Sequence, residues 1–521
     1  RRPLAAAVGA ALVVGLIVLA TELKLRYAGS QLTWQDLRYF FRQFGDNVGV
    51  MWTQPNLLWR AGAALALLAA LLVGTWRLDT RLGPWRTPQG TPWQRRVQPL
   101  LALALAAASF AWVVDAVQQA TRRPAWALAQ ARVHDPLSSF FATLALEPHA
   151  AFRHLPTEAF AQAARQRQGL VPAAPPADLV VFLQESQFNP AQVGGCPDDL
   201  CRRPFFDPAQ GDRLQGPLRV HTFGGGTWMS EFTFQTGLPH TLFGRAGDFA
   251  PFNLAPGVSQ SLVRSLRRAG YHTVAVYPVR GGMMNARAAY KAYGFDEFLD
   301  SDDLGLPGSY TTPDAALHAA ALARLPQGGA PRAPWFVFVV TIFNHTEHGN
   351  RWHLLPANLR RAAERIDGSE SERHSLADYL WRTAQFEQAF ADSRARLLAS
   401  PRPTVVAWFG DHLPPFGQAL VLRDRIGAPP GVPAGTARLH AWWGLADNLG
   451  GPASAAPAQA LDLAFLPGLL AERARVPLDD FLAANVEARE RCQGRLVDCP
   501  LPDLADTYYS QLLDRLRVLR P

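Results

Sequence analysis

The run Leu179-Val180-Val181-Phe182-Leu183, followed at once by Gln184-Glu185-Ser186-Gln187, is the stretch from which the fold is read. Five apolar residues in a row, without polar alternation, describe a strand buried on both faces, as in the middle of a parallel sheet. The same pattern recurs downstream. Residues 259–269 read as an amphipathic helix closed by Gly270, residues 273–277 as the next strand, then 335–342 and 404–409. Strands alternating with helices imply an α/β domain, a mostly parallel sheet sandwiched by helices. In such sheets the chemistry sits beyond the carboxyl ends of the strands.

That rule directs attention to three short segments. Glu185 follows the first strand, Phe343-Asn344-His345-Thr346-Glu347-His348 follows 335–342, and Gly410-Asp411-His412 follows 404–409. Each alone is weak, because a carboxylate after a strand is most often a helix cap. Together they bring carboxylates and imidazoles to one edge, a donor set suited to a divalent ion such as Zn²⁺ or Mn²⁺. Phosphoryl transfer uses such an ion to neutralise oxygens and activate a hydroxyl. The hydroxyl is sought in Phe223-Gly224-Gly225-Gly226-Thr227-Trp228-Met229-Ser230-Glu231-Phe232. A helix starting at Thr227 would offer free N–H groups and its dipole to an anion, with Thr227 as a covalent nucleophile. The plainer alternative is that Thr227 only caps the helix, with Glu231 in its first turn. Glu347 and His348 read as solvated loop residues, with a place lining the pocket as the alternative.

The rest of the chain bounds the setting. Of 521 residues 48% are hydrophobic and 18% charged, which excludes a disordered chain. The net charge of +8 is almost all arginine, since Lys24 and Lys291 are the only lysines. The arginines are scattered rather than striped, so no nucleic-acid partner is expected. Three apolar runs, 4–20, 57–76 and 99–117, are each about long enough for a transmembrane helix. Residues 1–120 thus read as a membrane domain of about three spans, 121–177 as a connector ending in a Pro-rich stretch, and 178–521 as the catalytic domain. Arg77, Arg81, Arg86, Arg95 and Arg96 lie between the second and third runs, which places that loop in the cytoplasm and the catalytic domain on the periplasmic or extracellular side of the plasma (inner) membrane. Residues 34–44 are aromatic and amphipathic, consistent with lying on the outer membrane surface or packing as a loop helix. Four cysteines form two close pairs, Cys196/Cys201 and Cys492/Cys499. On a non-cytosolic domain these read as two small-loop disulfides, with free thiols or a zinc site as the alternatives.

Glu185, Gly-Gly-Thr227-x-x-x-Glu231-Phe232, Asn344-His345 and Gly410-Asp411-His412, in that order, resemble the lipoteichoic-acid synthase and phosphoglycerol/phosphoethanolamine transferase branch of the alkaline-phosphatase/sulfatase superfamily. The resemblance runs from about residue 177 to the C-terminus. It implies one Mn²⁺ or Zn²⁺ held by Glu185, Thr227, Asp411 and His412. It implies that Thr227 takes a head group from a phospholipid donor as phosphothreonine and passes it to a periplasmic glycan or lipid acceptor. His345 matches a histidine that contacts the phosphate or assists proton transfer. Three features depart from the family. Lipoteichoic-acid synthases have five spans where three are counted here. Pro278 stands where they have His, and Met284-Asn285-Ala286-Arg287 replaces a Trp-Asn-Arg motif before Tyr290. Arg287 and Arg280 are the replacement candidates for phosphate contact, which leaves glycerol-phosphate specificity open. A true sulfatase would carry Cys/Ser-x-Pro-x-Arg, and no such motif occurs. A phosphodiesterase that passes the group to water, or a non-catalytic envelope assembly protein, stay as competing readings.

Overall fold

The computed structural model describes residues 3–28, 31–45, 55–82, 140, 150–168, 174–207, 214–326, 332–416, 419, 421–450 and 460–520. The chain forms two compact units, Arg1–Leu25 with Ser30–Glu147, and Arg26–Gly29 with Pro148–Pro521.

The first unit contains helix α1 (Pro3–Ala28) up to Leu25, α2 (Trp34–Arg42) and α3 (Pro55–Leu82). Helix α2 opens with a capping box in which Thr33 and Asp36 satisfy each other's backbone N–H. Lys24 reaches Asp36 at 2.7 Å. Phe41 and Phe44 on this amphipathic segment are exposed. The first two apolar runs fall on α1 and α3, and the third lies outside the described residues. Among the described residues no helix is long and apolar enough to cross a membrane. The expected transmembrane helices are therefore not supported by the structure.

The second unit is built on eight strands: β1 (Asp178–Gln184), β2 (Leu214–Arg219), β3 (His272–Val276), β4 (Glu297–Leu299), β5 (Trp335–Val340), β6 (Thr404–Gly410), β7 (His440–Asp447) and β8 (Leu461–Asp462). Their order in the sheet is β4-β3-β5-β1-β6-β7-β2-β8. The block from β4 to β6 is parallel; β7 runs antiparallel to both β6 and β2, and β2 and β8 are parallel. The α/β expectation thus holds for the centre of the sheet, with an antiparallel interruption toward one edge. Residues 273–277 shift by one to His272–Val276. The strand read over 335–342 ends at Val340, where Thr341 turns to bond Leu183 O.

The continuous apolar run of β1 has a direct cause. Leu179, Val181 and Leu183 face one hydrophobic layer with Phe338, Val405 and Phe409. Val180 and Phe182 face the other, with Val337, Val339, Val406 and Trp408. Each fully buried side chain of this size stabilises by about 1.5–3 kcal/mol, and β1 has no solvated face on which a polar residue would cost nothing.

The helices of this unit include α4 (Glu158–Gln168), α5 (Thr227–Thr236), α6 (Asp314–Arg324), α7 (Glu370–Leu398) and α8 (Asp480–Arg491). Helix α4 lies within the stretch read as connector. It buries Phe160, Ala161 and Ala164, and its Arg167 meets Glu487 of α8 at 3.0 Å. The helix read over 259–269 is Leu262–Arg268, capped by Ser261 and ended by Gly270 at φ +88°.

Candidate active site

Glu185 and Asp411 follow neighbouring strands, β1 and β6, whose last paired residues are Gln184 and Gly410. The two carboxylates therefore emerge side by side, with His412 next to them. All three are buried, at 2%, 0% and 2% exposure. One donor atom from each lies within 4.8 Å of the others, a group able to hold a metal ion. His412 Nε2 is 3.2 Å from Asp411 Oδ2 and 3.5 Å from Glu185 Oε1, yet neither Nε2 nor Oδ2 makes a hydrogen bond. Buried atoms that converge without hydrogen-bond geometry are what ligands of a common cation look like.

The surroundings orient these groups. His412 Nδ1 lies 3.2 Å from Leu413 O. A carbonyl only accepts, so Nδ1 carries a proton, and this contact turns the Nε2 side of the ring to the cluster. Asp411 Oδ1 accepts from the backbone N–H of Ser186 (2.7 Å) and His412 (2.9 Å). Ser186, at φ +55°, donates its hydroxyl to Glu185 Oε1 at 2.8 Å. Burial first, and the Asp411 charge second, hold the Glu185 carboxyl well above the usual carboxylate range. Two adjoining buried carboxylates are costly unless a cation compensates them, so the residues present fit a divalent ion.

Thr227 joins the same cluster. Its hydroxyl donates to Glu185 Oε2 at 3.4 Å. It is the first residue of α5, with Gly226 as the cap, so the simple N-cap alternative for Thr227 does not hold. Gly224, Gly225 and Gly226 take φ of +78°, +153° and +85°, a path that L side chains resist. Gly224 N bonds Leu413 O at 3.0 Å, which ties the glycine loop before Thr227 to the His412 loop. Ser230, on the same helix, donates to Asp411 O at 2.6 Å.

His345 is half-buried and stacks on Tyr310 with centroids 4.2 Å apart. Its Nδ1 lies 2.9 Å from Thr346 O, so Nε2 is left as acceptor. Burial pushes its pKa down to about 4, and His412 and Asp411 are near enough to act on it. His348 is not a solvated loop residue: it is buried, with Nε2 on Asn344. Arg280 pairs with Asp302 at 3.2 Å, and Arg287 with Asp300 (2.6 Å) and Asp303 (2.9 Å). Among the described residues no hydrogen bond or ion pair links either arginine to the cluster. The cysteines form Cys196–Cys201 and Cys492–Cys499, and no free cysteine remains.

Several groups around the site escaped the sequence reading. Tyr310 is one, and it has no motif. Asp314 at the start of α6 is another: it accepts from Phe343 N at 3.4 Å, and burial pushes its pKa up to about 7. Asp378 and Arg382 on α7 are a third, and only their spacing of four on a helix could have marked them as a pair.

Comparison with known proteins agrees with this geometry. The Sulfatase family model matches residues 208–455. An uncharacterised protein of Haemophilus influenzae is 29% identical over 364 residues, 66% of this chain and 62% of the relative. A putative cyclic β-1,2-glucan modification protein of Rhizobium meliloti is 27% identical over 258 residues, 46% and 36% of the two chains. The chain thus spans less than two thirds of the length of these curated relatives. In fold it resembles the Streptococcus pyogenes phosphoglycerol transferase GacH in complex with sn-glycerol-1-phosphate, with a TM-score of 0.52 and 15% identity over 70% of this chain and 93% of that one. Residues 208–455 thus match the Sulfatase family model, a likeness that supports an enzyme of the transferase or hydrolase kind.

Proposed function

We propose that the protein is a membrane-anchored, metal-dependent phosphotransferase. It moves a phosphoglycerol or phosphoethanolamine head group from a phospholipid to a cell-envelope glycan or lipid by way of phosphothreonine at Thr227. The observation that carries the reading is the Thr227 hydroxyl, at a helix N-terminus, bonded to a buried Glu185–Asp411–His412 group. Those four residues would hold one Mn²⁺ or Zn²⁺, which when bound supplies charge neutralisation and lowers the pKa of a hydroxyl.

The chain's own groups account for the remaining steps. Thr227 Oγ1 attacks phosphorus as the bond to the diacylglycerol oxygen breaks, and the hydroxyl proton ends on that leaving alcohol. The α5 N-terminus and its glycine loop face the developing negative charge. In the second step the acceptor hydroxyl displaces Thr227. Neutral His345, with Nδ1–H held by Thr346 O, offers Nε2 to take the acceptor's proton.

The apolar N-terminal runs support a membrane domain over 1–120, a connector over 121–177 and a catalytic domain over 178–521 on the periplasmic face of the inner membrane, where a lipid donor is at hand. Two disulfides favour that oxidising side. The name of the Rhizobium relative and the fold shared with a phosphoglycerol transferase point the same way for the acceptor and donor classes.

The test is peptide mass spectrometry on purified protein incubated with Mn²⁺ or Zn²⁺ and phosphatidylglycerol or phosphatidylethanolamine, wild type beside Thr227→Ala. A head-group adduct on Thr227, absent from the variant, is expected and names the donor. No adduct from either lipid, with metal bound and the fold intact, would favour a hydrolase.

A further inference from the structure

Asp378 and Arg382 sit one turn apart on α7, and their side chains are 0% and 1% exposed. A buried ion pair gains little stability over well-packed apolar residues unless its remaining hydrogen-bonding groups are satisfied. Here they are satisfied by one loop. Arg382 bonds Asp378 through Nε (2.8 Å) and Nη2 (2.6 Å). Its Nη1 donates to His345 O at 2.6 Å, and Nη2 also reaches Glu347 O (3.0 Å) and Asn350 Oδ1 (2.9 Å). Asp378 Oδ2 accepts from Gly349 N at 2.7 Å and Arg351 N at 3.4 Å.

Two side chains therefore hold the segment from His345 to Arg351, an irregular stretch without a sheet or helix ladder of its own. The hold extends to the ring of His345. Arg351, whose backbone Asp378 fixes, donates from Nη2 to Tyr310 O at 2.7 Å, and Tyr310 stacks on the His345 imidazole at 17°. The backbone of His345 is thus set by Arg382 and its ring plane by Tyr310, both tied to the same pair.

We propose that the Asp378–Arg382 pair is a positioning device that places His345 against the Thr227 site. This rests on the reading that His345 acts in the transfer. A planar guanidinium is required, because a lysine ammonium cannot grip Asp378 with a fork and still reach three loop acceptors.

The experiment uses the full chain in detergent with Mn²⁺ and bis(p-nitrophenyl) phosphate as a general phosphodiester probe. Asp378→Asn/Arg382→Met, a neutral pair of similar volume, and Arg382→Lys are each made in the wild-type and His345→Ala backgrounds. In the wild-type background the neutral pair should lower kcat by about 100-fold, the order expected for a misplacement of about 1 Å, with KM nearly unchanged. Arg382→Lys should recover only part of that loss. In the His345→Ala background neither change should cost more than about 2-fold further, since coupled residues are not additive. Hydrogen exchange should rise in peptides covering 343–351 and stay unchanged in those covering β1 and β6. A full loss that persists without His345, complete rescue by lysine, or unaltered exchange over 343–351 would each overturn the proposal. If the neutral pair does not fold, Arg382→Lys carries the same test. Wild type inactive on the probe and without a Thr227 adduct would sink the transferase reading, while the exchange result would still decide whether the pair holds the loop.

Discussion

Glu231 lies one turn beyond Thr227 on α5, is 3% exposed, and should make the protein less stable as pH rises. Burial, with a smaller push from the Asp411 charge, raises its pKa from 4.5 to about 8. The Tyr290 hydroxyl pulls the other way, but neither it nor Glu231 Oε1 completes a hydrogen bond. A carboxyl whose folded pKa lies above its unfolded one keeps its proton when folded and loses it when unfolded. Between pH 4.5 and about 8 the native state binds more protons, so stability falls through that window. At pH 7 the interval of 2.5 units corresponds to about 3 kcal/mol at 1.36 kcal/mol per unit. Glu231→Gln removes the ionisation while keeping the shape. With about 2–4 °C of Tm per kcal/mol for a large domain, the variant should melt roughly 6 °C or more above wild type at pH 7–8. Near pH 4.5 the two should melt about together. The assay is thermal unfolding of both proteins across that range, in chelator so that no bound cation acts on Glu231. An equal shift at every pH, or a variant less stable than wild type at pH 8, would refute the reasoning, because ionised Glu231 would then have a partner.

Adding Mn²⁺ or Zn²⁺ to chelated protein should raise Tm, by about 3 kcal/mol of stabilisation at a hundred times Kd, and Asp411→Asn should largely abolish the shift in the same melting experiment. Gly226→Ala places a Cβ 2.0 Å from Met229 Cε at φ +85°. The methionine end can move but the backbone strain stays, so a loss of about 1–2 kcal/mol is expected, with a larger loss of Thr227 adduct by mass spectrometry because α5 starts there. Replacing Cys492 and Cys499 by serine opens a loop with sequence separation 7. The chain-entropy relation gives a cost of about 2 kcal/mol, and reducing the wild-type disulfides should destabilise by at least as much.

What could be read from the sequence, and what could not, divides along physical lines. The parallel centre of the sheet was legible because β1, β5 and β6 are buried on both faces and so are written as unbroken apolar runs. The edge was not. β2 reads Leu-Gln-Gly-Pro-Leu-Arg, and its Gly216 and Pro217 argue against a strand, yet it pairs with both β7 and β8. The gathering of Glu185, Asp411 and His412 was legible because they follow closely on two strands, and the place of Thr227 because it follows a glycine turn. Tyr310, Asp314 and the Asp378–Arg382 pair were not, because they reach the site from elements distant in sequence and their meaning lies in the backbone groups they meet. Arg280 and Arg287 were read by analogy with a motif, and the sequence did not disclose that Asp300, Asp302 and Asp303 stand ready to pair with them.

The same contrast explains why the cluster depends on strand register rather than on a binding loop. In the parallel pairing of β1 with β6, Asp178 faces Thr404 and each later residue keeps step up to Gln184 and Gly410. The next residues on the two chains are Glu185 and Asp411, brought together by strands about 4.8 Å apart. A slip of one residue would turn every β6 side chain to the opposite face. It would also separate Asp411 from Glu185. That slip is resisted by Val405, Ala407 and Phe409 in one apolar layer and Val406 and Trp408 in the other. Truncating a core aromatic such as Trp408 costs about 3–5 kcal/mol. The apolar residues that make β6 a strand therefore also set the distance between the carboxylates, and substitutions far from the cluster that loosen register should weaken metal binding before they unfold the domain.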